Sequence, residues 1–422
     1  MNKYYKYGLL AARILLGATF LFSGFVKAID PQGSVYKFDE YFLAFGWNLS
    51  ENFIQLLSIV QAAFEFSLGV LLMLCVWPKI TKRVAFLFML IMTPFTLYLA
   101  FKNPVSDCGC FGDVLVLTNW QTFSKNVILL LLSLVLLISK GGCYSIFGKR
   151  TSKWCLLWSV LFPVLISMYA YRHLPLMDFR PFKVGNDLKE LTQLPPGAVT
   201  DSFYYNFIYE KEGVRKSFKI DELAQVDSDW TFVDREQILV REGERPVIYN
   251  LNIEHPIRGE IRDDILNDTS YVFLFISPKL EDADRMYIDK VNSAYEFAEL
   301  HGYKFYGLTA SAASAIDEWS YEYDAGYEFC SLDDKVAETI IRSNPGIMLL
   351  KNGVVINKWA SSDIPDFSKV DVPFEMSDLG SLKKTNAFRV ISLLTICFLV
   401  PLIFFGLLHT GSTLHLKRKN KK

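Results

Sequence analysis

Two cysteines one residue apart, Cys108-Gly109-Cys110, are the sharpest chemical signal in this sequence. Cysteines this close can bridge only in strained geometry, and strain makes a disulfide easier to reduce. Gly109 supplies the backbone freedom so small a ring needs. Such a labile pair suits thiol–disulfide exchange better than cross-linking. Two other readings stand beside it: half of a zinc site, or inert turn residues packed on their surroundings. No second cysteine pair or histidine cluster accompanies the loop to complete four zinc ligands, so no metal site is assigned. A nearby ammonium favours the thiolate, which is the nucleophile, and Lys27 is the candidate for that role. Asp107 and Asp113 flank the loop and push the other way, which leaves the net effect open.

Arg13, Gln61 and Glu65 are polar residues inside apolar stretches, where charge is expensive and usually paired. Arg13 is about five residues into its stretch, or ~8 Å from one membrane face, and Glu65 lies ~12 Å from the same face. The matching depths predict an Arg13–Glu65 pair, with Gln61 one turn away on the same helix face. Such a pair either fixes helix register or marks a proton or substrate path.

The elements that position these residues are membrane spans. A spanning helix needs ~20 mostly apolar residues, and six stretches qualify: 8–28, 53–76, 82–101, 120–139, 154–172 and 388–409. The first has a basic start but no small-residue cleavage site, so it reads as a retained anchor. Lys79, Lys82 and Arg83, then Lys140, Lys149, Arg150 and Lys153, then Lys417, Arg418, Lys419, Lys421 and Lys422 fall on one side only if both termini are cytoplasmic. The loops 29–52 and 102–119 and the long segment 173–387 are then outside. In a two-membrane bacterium this is a multi-pass inner-membrane protein with a periplasmic domain. Cys108 and Cys110 face an oxidising compartment, at the membrane level of Lys27. Cys75, Cys143, Cys155 and Cys397 lie in spans or at the other side.

The 422-residue chain is 51% hydrophobic, with formal net charge -1, which gives no argument for nucleic acid. Five segments follow: a four-helix membrane domain 1–140, a cytoplasmic loop and fifth span 141–172, a β-rich extension 173–244, an α/β domain 245–385, and a sixth span with a basic tail 386–422. Within the extension, 203–209 alternates as a strand does. Strands are predicted at 247–251, 271–276 and 304–308, helices over 281–300 and 333–342, and a Gly353 hairpin after Pro345. This order resembles the thioredoxin-like fold over about 245–362, with Pro345 as the counterpart of that family's cis-proline. The resemblance breaks at one place. Where the family has Cys-x-x-Cys, this chain has Ser277-Pro278-Lys279-Leu280. The domain is therefore not expected to exchange disulfides by the usual route, and Cys330, on a strand, reads as a buried hydrophobe.

Arg13, the Ser23-Gly24 step, Lys27, the Asp30-Pro31 pair and the Cys108/Cys110 loop together resemble the DoxX family and its MauE-like branch, over about 1–140. The fold class is thus a membrane α-helical bundle, a DoxX-like four-helix core plus two further spans, carrying an extracytoplasmic thioredoxin-like domain. The resemblance to MauE implies a role in maturing methylamine dehydrogenase, an enzyme with many disulfides. Two functions stay open. One passes redox equivalents through Cys108 and Cys110 to an exported client protein or redox partner. The other is a non-catalytic anchor or assembly module, so enzyme status is left undecided. A transporter has little support, since no inverted repeat is evident. Besides membrane lipid no partner is named by the residues, and no nucleotide, haem or flavin signature is present. Quinone binding is open to a membrane redox protein, but no residue pattern calls for one.

Overall fold

The computed structural model describes residues 3–105, 107–139, 147–199, 202–211, 213–219, 223, 229–241, 243–382 and 386–419. Among them, six helices are long and apolar enough to cross a membrane: Tyr4–Ile29, Glu51–Met73, Pro78–Lys102, Asn119–Ile138, Lys149–Arg172 and Ala387–Leu407. They belong to α1 (Lys3–Ile29), α3 (Glu51–Met73), α4 (Pro78–Lys102), α5 (Asn119–Ile138), α6 (Lys149–Arg172) and α12 (Ala387–Lys419). The basic positions Lys140, Lys421 and Lys422 lie outside the described residues, as does Cys143.

Small residues bring α1 and α3 into backbone contact. A Cβ on Gly24 would lie 2.3 Å from the Phe66 nitrogen, and one on Gly69 2.4 Å from the Leu21 nitrogen. Gly17 meets the Gly69 carbonyl oxygen in the same way, at 3.2 Å. Glycine at these positions lets two helices pack closely in lipid, where apolar burial alone does not drive association. Leu16, Phe20, Leu68, Leu72, Met89 and Leu129 fill the core that α1 and α3 share with α4 and α5. On the opposite side, Phe66, Phe162 and Phe398 cluster α3 with α6 and α12, and the Trp158 indole donates to the Phe398 carbonyl at 3.0 Å.

The connection after α1, expected only as a loop, is helical. In α2 (Pro31–Ala44), Asp30 caps the N-terminus by accepting from the Gly33 amide at 3.0 Å, and Pro31 takes the first turn, where its missing N–H costs nothing. The start of α3 runs beside α2, with the Ser58 hydroxyl donating to the Pro31 carbonyl at 3.1 Å. The outer turns of α3 therefore project beyond the end of α1.

A seven-stranded sheet follows, in the order β10-β9-β6-β7-β8-β4-β5. The strands are β4 (Glu254–His255), β5 (Gly259–Glu260), β6 (Tyr271–Ser277), β7 (Lys304–Thr309), β8 (Glu328–Ser331), β9 (Gly346–Lys351) and β10 (Val354–Ala360). β6, β7 and β8 are parallel, and β9 and β10 form an antiparallel hairpin turned at Asn352 and Gly353, both at positive φ. Every residue of β6 is buried, and its side chains alternate between two layers. Val272, Leu274 and Ile276 face a core shared with α8 (Arg262–Leu266) and α11 (Asp334–Ile340). Tyr271, Phe273 and Phe275 face an aromatic core shared with α9 (Ile288–His301) and α10 (Ala313–Tyr323). The Asn344–Pro345 peptide, just before β9, is cis.

Two sequence expectations fail here. Residues 247–251 form no strand; the Ile248 amide is spent on the Leu191 carbonyl at 2.9 Å, although Ile248 and Leu251 are buried. The helix expected from 281 begins only at Ile288, because two 3-10 turns intervene and the Asp284 carboxylate accepts from the Met286 amide. The segment before the sheet divides. Residues 181–192, including α7 (Leu188–Thr192), pack on the large sheet through Phe182 and Leu188. The strands β1 (Ser202–Lys211), β2 (Val214–Lys219) and β3 (Thr231–Arg241) form a separate three-stranded sheet in the order β2-β1-β3.

Candidate functional site

The loop between α4 and α5 is held from both ends. Asn119, at the start of α5, donates its side-chain amide to the Asn103 side-chain oxygen at 2.8 Å and to the Val105 carbonyl at 2.9 Å. Thr118 and Gln121 close a capping box around that same helix start. Inside the loop, the Gly109 amide donates to Asp107 Oδ1 at 2.8 Å, and the Gly112 amide donates to the Gly109 carbonyl at 3.1 Å. Gly109 sits at φ +64°, and a Cβ there would also press on the Lys37 side chain at 2.8 Å. This turn sets Cys108 Sγ and Cys110 Sγ 3.0 Å apart, both as free thiols.

The bundle grips the backbone of the same turn. The Tyr41 hydroxyl donates to the Cys108 carbonyl at 2.9 Å. The Cys110 carbonyl accepts from the Ser23 hydroxyl at 2.7 Å and from Lys27 Nζ at 2.9 Å. Lys27 also donates to Ser23 Oγ at 2.7 Å and to Glu65 Oε2 at 2.8 Å, so all three ammonium hydrogens are used. Glu65 accepts further from the Gln61 amide at 3.0 Å, and it lies 2.6 Å from Ser23 Oγ, whose one hydrogen goes either to it or to the Cys110 carbonyl. The Lys27 and Glu65 side chains are only 6% and 5% exposed.

Glu65 therefore pairs with Lys27, and the expected Arg13–Glu65 pair does not form. The register of α1 on α3 explains the difference. Gly24 lies against Ala62 and Phe66, and Gly17 against Gly69, which carries Arg13 on to the level of the disulfide-bonded Cys75, to which its guanidinium donates. Cys75 is ten residues beyond Glu65, about 15 Å along the helix. Counting depth from the start of each apolar stretch went wrong because α3 begins outside the end of α1. Gln61 keeps its expected place one turn from Glu65.

The two flanking carboxylates do not act on the thiols as bare charges. Asp107 pairs with Lys37 at 3.1 Å, and Asp113 with Arg342 at 2.7 Å. The hydrogen bond from the Cys108 thiol holds Cys110 below the usual thiol range against the effect of burial, with Lys125 and Lys27 adding in the same sense. Cys108 is pushed up by giving that bond and by burial. The arrangement is thus a thiolate-prone sulfur with a protonated sulfur beside it, the distribution expected of an attacking and a resolving thiol.

The Cys108–Cys110 pair lines a cavity of about 350 Å³ enclosed by α1 to α5. Phe38, Phe42, Phe88, Phe95 and Phe111 are part of its largely apolar lining, and Lys27, Lys37, Gln61, Glu65, Lys125 and the two cysteines are among its polar lining.

Arg342, from the sheet domain just before Pro345, reaches into the mouth of the bundle. It donates to Asp30 Oδ2 at 3.2 Å and Asp113 Oδ2 at 2.7 Å, and its guanidinium lies 5.3 Å from the Tyr36 ring centroid. His173 with Asp363, at 2.6 Å, and Ser362 with the Arg172 carbonyl, at 2.7 Å, tie the domain down at a second place. Ser277, at the end of β6, donates to Asn344 Oδ1 at 2.6 Å. Cys330 is buried in β8, and burial pushes its thiol up to about 11. Among the described residues, no cluster of His, Cys, Asp or Glu could hold a metal ion.

Residues 5–139 match the family described as methylamine utilisation protein MauE. That stretch, about a third of the chain, holds α1 to α5 and with them Lys27, Glu65, Cys108 and Cys110. Residues 203–242, which carry the three-stranded sheet, match a domain of unknown function (DUF8463). Comparison with curated proteins and with solved structures finds no match.

Lys37, Tyr41, Lys125 and Arg342 were not singled out from the sequence. The spacing of Val35, Phe38, Tyr41 and Phe42 was a legible signal for α2 and would have brought Lys37 and Tyr41 to the site. Arg342 is more than two hundred residues from Asp113, and nothing local in the sequence joins them.

Proposed function

We propose that this protein is a multi-pass inner-membrane thiol–disulfide redox protein that serves exported clients, with Cys108 and Cys110 as its exchanging pair. The observation that carries this reading is the 3.0 Å approach of two free thiols, one held toward the thiolate, at a cavity in the bundle. In the oxidised form, a client thiolate attacks one sulfur of the Cys108–Cys110 disulfide and forms a mixed disulfide. A second client thiolate then displaces it, so the client loses two electrons and two protons and the pair takes them up. The tightly held backbone of the turn keeps both sulfurs in place through the cycle. Lys27 is a positioning residue here, since it holds the Cys110 carbonyl and neutralises Glu65.

The basic loops support cytoplasmic termini, and with them a segment 173–387 outside the cytoplasm. Parallel β6, β7 and β8 beside the antiparallel β9–β10 hairpin, with helices on both faces, favour a thioredoxin-like domain without its cysteines. In that role it caps the bundle and holds a client. The family matched by residues 5–139 connects this role to methylamine utilisation. A second reading, a non-catalytic assembly module, draws support from the Ser277–Asn344 contact that occupies the usual cysteine position.

The test is thiol trapping in cells with a bulky alkylating reagent, with and without reductant. The redox reading expects Cys108 and Cys110 to cycle, and client disulfides to fall in a Cys108→Ser/Cys110→Ser variant. A permanently reduced pair, or unchanged client disulfides, leaves the assembly reading.

A further inference from the structure

The cavity at the thiol pair has a chemistry of its own, and it narrows the electron acceptor. We propose that it binds a quinone ring and that the quinone takes the electron pair from Cys108 and Cys110; this rests on the thiol-exchange reading above.

The volume of about 350 Å³ falls at the small end of ligand pockets and suits a ring with the start of a tail. Its walls come largely from spanning helices and from α2, surroundings that suit a ligand that partitions into lipid. Phe38, Phe42, Phe88, Phe95 and Phe111 bring aromatic side chains to the lining from α2, α4 and the loop before α5, surroundings that suit a planar ring. Among the polar lining, Gln61 and Lys125 keep hydrogens to give. Gln61 spends one amide hydrogen on Glu65 and keeps the other, and the Lys125 ammonium lies 4.1 Å from the Phe111 ring centroid with no carboxylate partner among the described residues. These groups can meet ring oxygens, whereas Lys27 has no hydrogen left to give. A nucleotide cofactor would bring phosphates, and the amides of Gly109 and Gly112 that could cradle them are already spent on Asp107 and on the Gly109 carbonyl. An acyl chain would fill the apolar part but leave the polar lining and the sulfurs unused.

The chemistry balances. The Cys110 thiolate adds to a ring carbon and forms an S–C bond. Cys108 gives up its proton, and its sulfur attacks Cys110 Sγ. The disulfide forms as the S–C bond breaks, and that electron pair stays on the ring. The ring oxygens take two protons, one from Cys108 and one from water, to give a hydroquinone.

The test uses the full-length reduced protein in lipid nanodiscs with a short-chain ubiquinone, stopped by acid and alkylation. One quinone consumed per Cys108–Cys110 disulfide is expected. Met92→Trp, which fills the cavity, should slow the reaction by about tenfold or more, and the dimethyl ether of the hydroquinone, which cannot accept electrons, should compete in the unaltered protein. Oxidation by diamide is measured in parallel. If diamide oxidises the pair and the quinone does not, the quinone inference falls and the thiol reading stands. If neither oxidises it, both fall. A Met92→Trp rate equal to that of the unaltered protein, or no competition by the dimethyl ether, also overturns quinone binding in this cavity, the latter being what an acyl-chain occupant would give.

Discussion

Replacing Lys27 with methionine removes a buried ammonium and keeps nearly the same volume. The side chain it replaces donates to Ser23, Glu65 and the Cys110 carbonyl, at 2.7, 2.8 and 2.9 Å. The single Ser23 hydroxyl hydrogen still serves either the Cys110 carbonyl or Glu65, so one of these two acceptors keeps a donor and that part of the loss is small. Glu65 is different: it is 5% exposed and loses the one ion-pair partner it has among the described residues. Leaving one member of a buried ion pair uncompensated costs roughly 3–5 kcal/mol. Replacing both, as Lys27→Met/Glu65→Leu, removes the stranded charge; Ser23 then serves the Cys110 carbonyl, and the two groups left without their partners, the Ser23 acceptor and the Gln61 amide, cost about 1–3 kcal/mol together. The double variant should therefore be more stable than the Lys27 single variant. Equilibrium unfolding of the protein in bicelles measures this, with the four proteins closing a double-mutant cycle. A single-variant cost under about 1 kcal/mol, or a double variant that loses the sum of the two singles, would refute the reasoning.

Three further outcomes follow from the geometry. Cys110, held toward the thiolate, should alkylate at a rate nearly flat from neutral to alkaline pH and fall off only in acid. Cys330, pushed up to about 11, should speed up about tenfold per pH unit through the same range once exposed to reagent; parallel profiles for the two would contradict the assignment. Arg342→Ala strands Asp30 and Asp113 at the docking contact and should weaken the seating of the sheet domain by about 2–5 kcal/mol. Hydrogen exchange at Gly33 and around Asp113 would report that loosening, and unchanged protection would dismiss it. Gly24→Leu puts a Cβ 2.3 Å from the Phe66 backbone, so α1 and α3 must part, at a cost of about 1–3 kcal/mol or more; thermal unfolding no different from the unaltered protein would show that the contact is not tight.

The spans were legible because twenty apolar residues are a local signal, and so was the Asn352-Gly353 hairpin, which two residues at positive φ specify on their own. The all-apolar run of β6 announced a buried strand in the same way. Relative depth was not legible. Arg13 and Glu65 looked level, yet the stacking of Gly17 on Gly69 and Gly24 on Phe66 decides register, and no count from a helix end contains that information. The 247–251 stretch has strand-like composition, but its Ile248 amide was claimed by Leu191, a contact set by the tertiary fold. At the site, Cys108, Gly109, Cys110, Lys27 and Glu65 were each visible by type. The neutralising partners of Asp107 and Asp113 were not, because Lys37 and Arg342 come from other elements. That omission is why the effect of the flanking charges on the thiols stayed open in the sequence.

The central claim is that Cys108 and Cys110 exchange electrons as a pair. The most direct test is a glutathione redox titration of the purified full-length protein, with alkylation and mass spectrometry at each potential. The account predicts one two-electron transition in which both cysteines lose their thiols together at a potential within reach of cellular dithiols, while Cys330 stays reduced. Two thiols that remain free across the titration, or that titrate separately as mixed disulfides with glutathione, would contradict it.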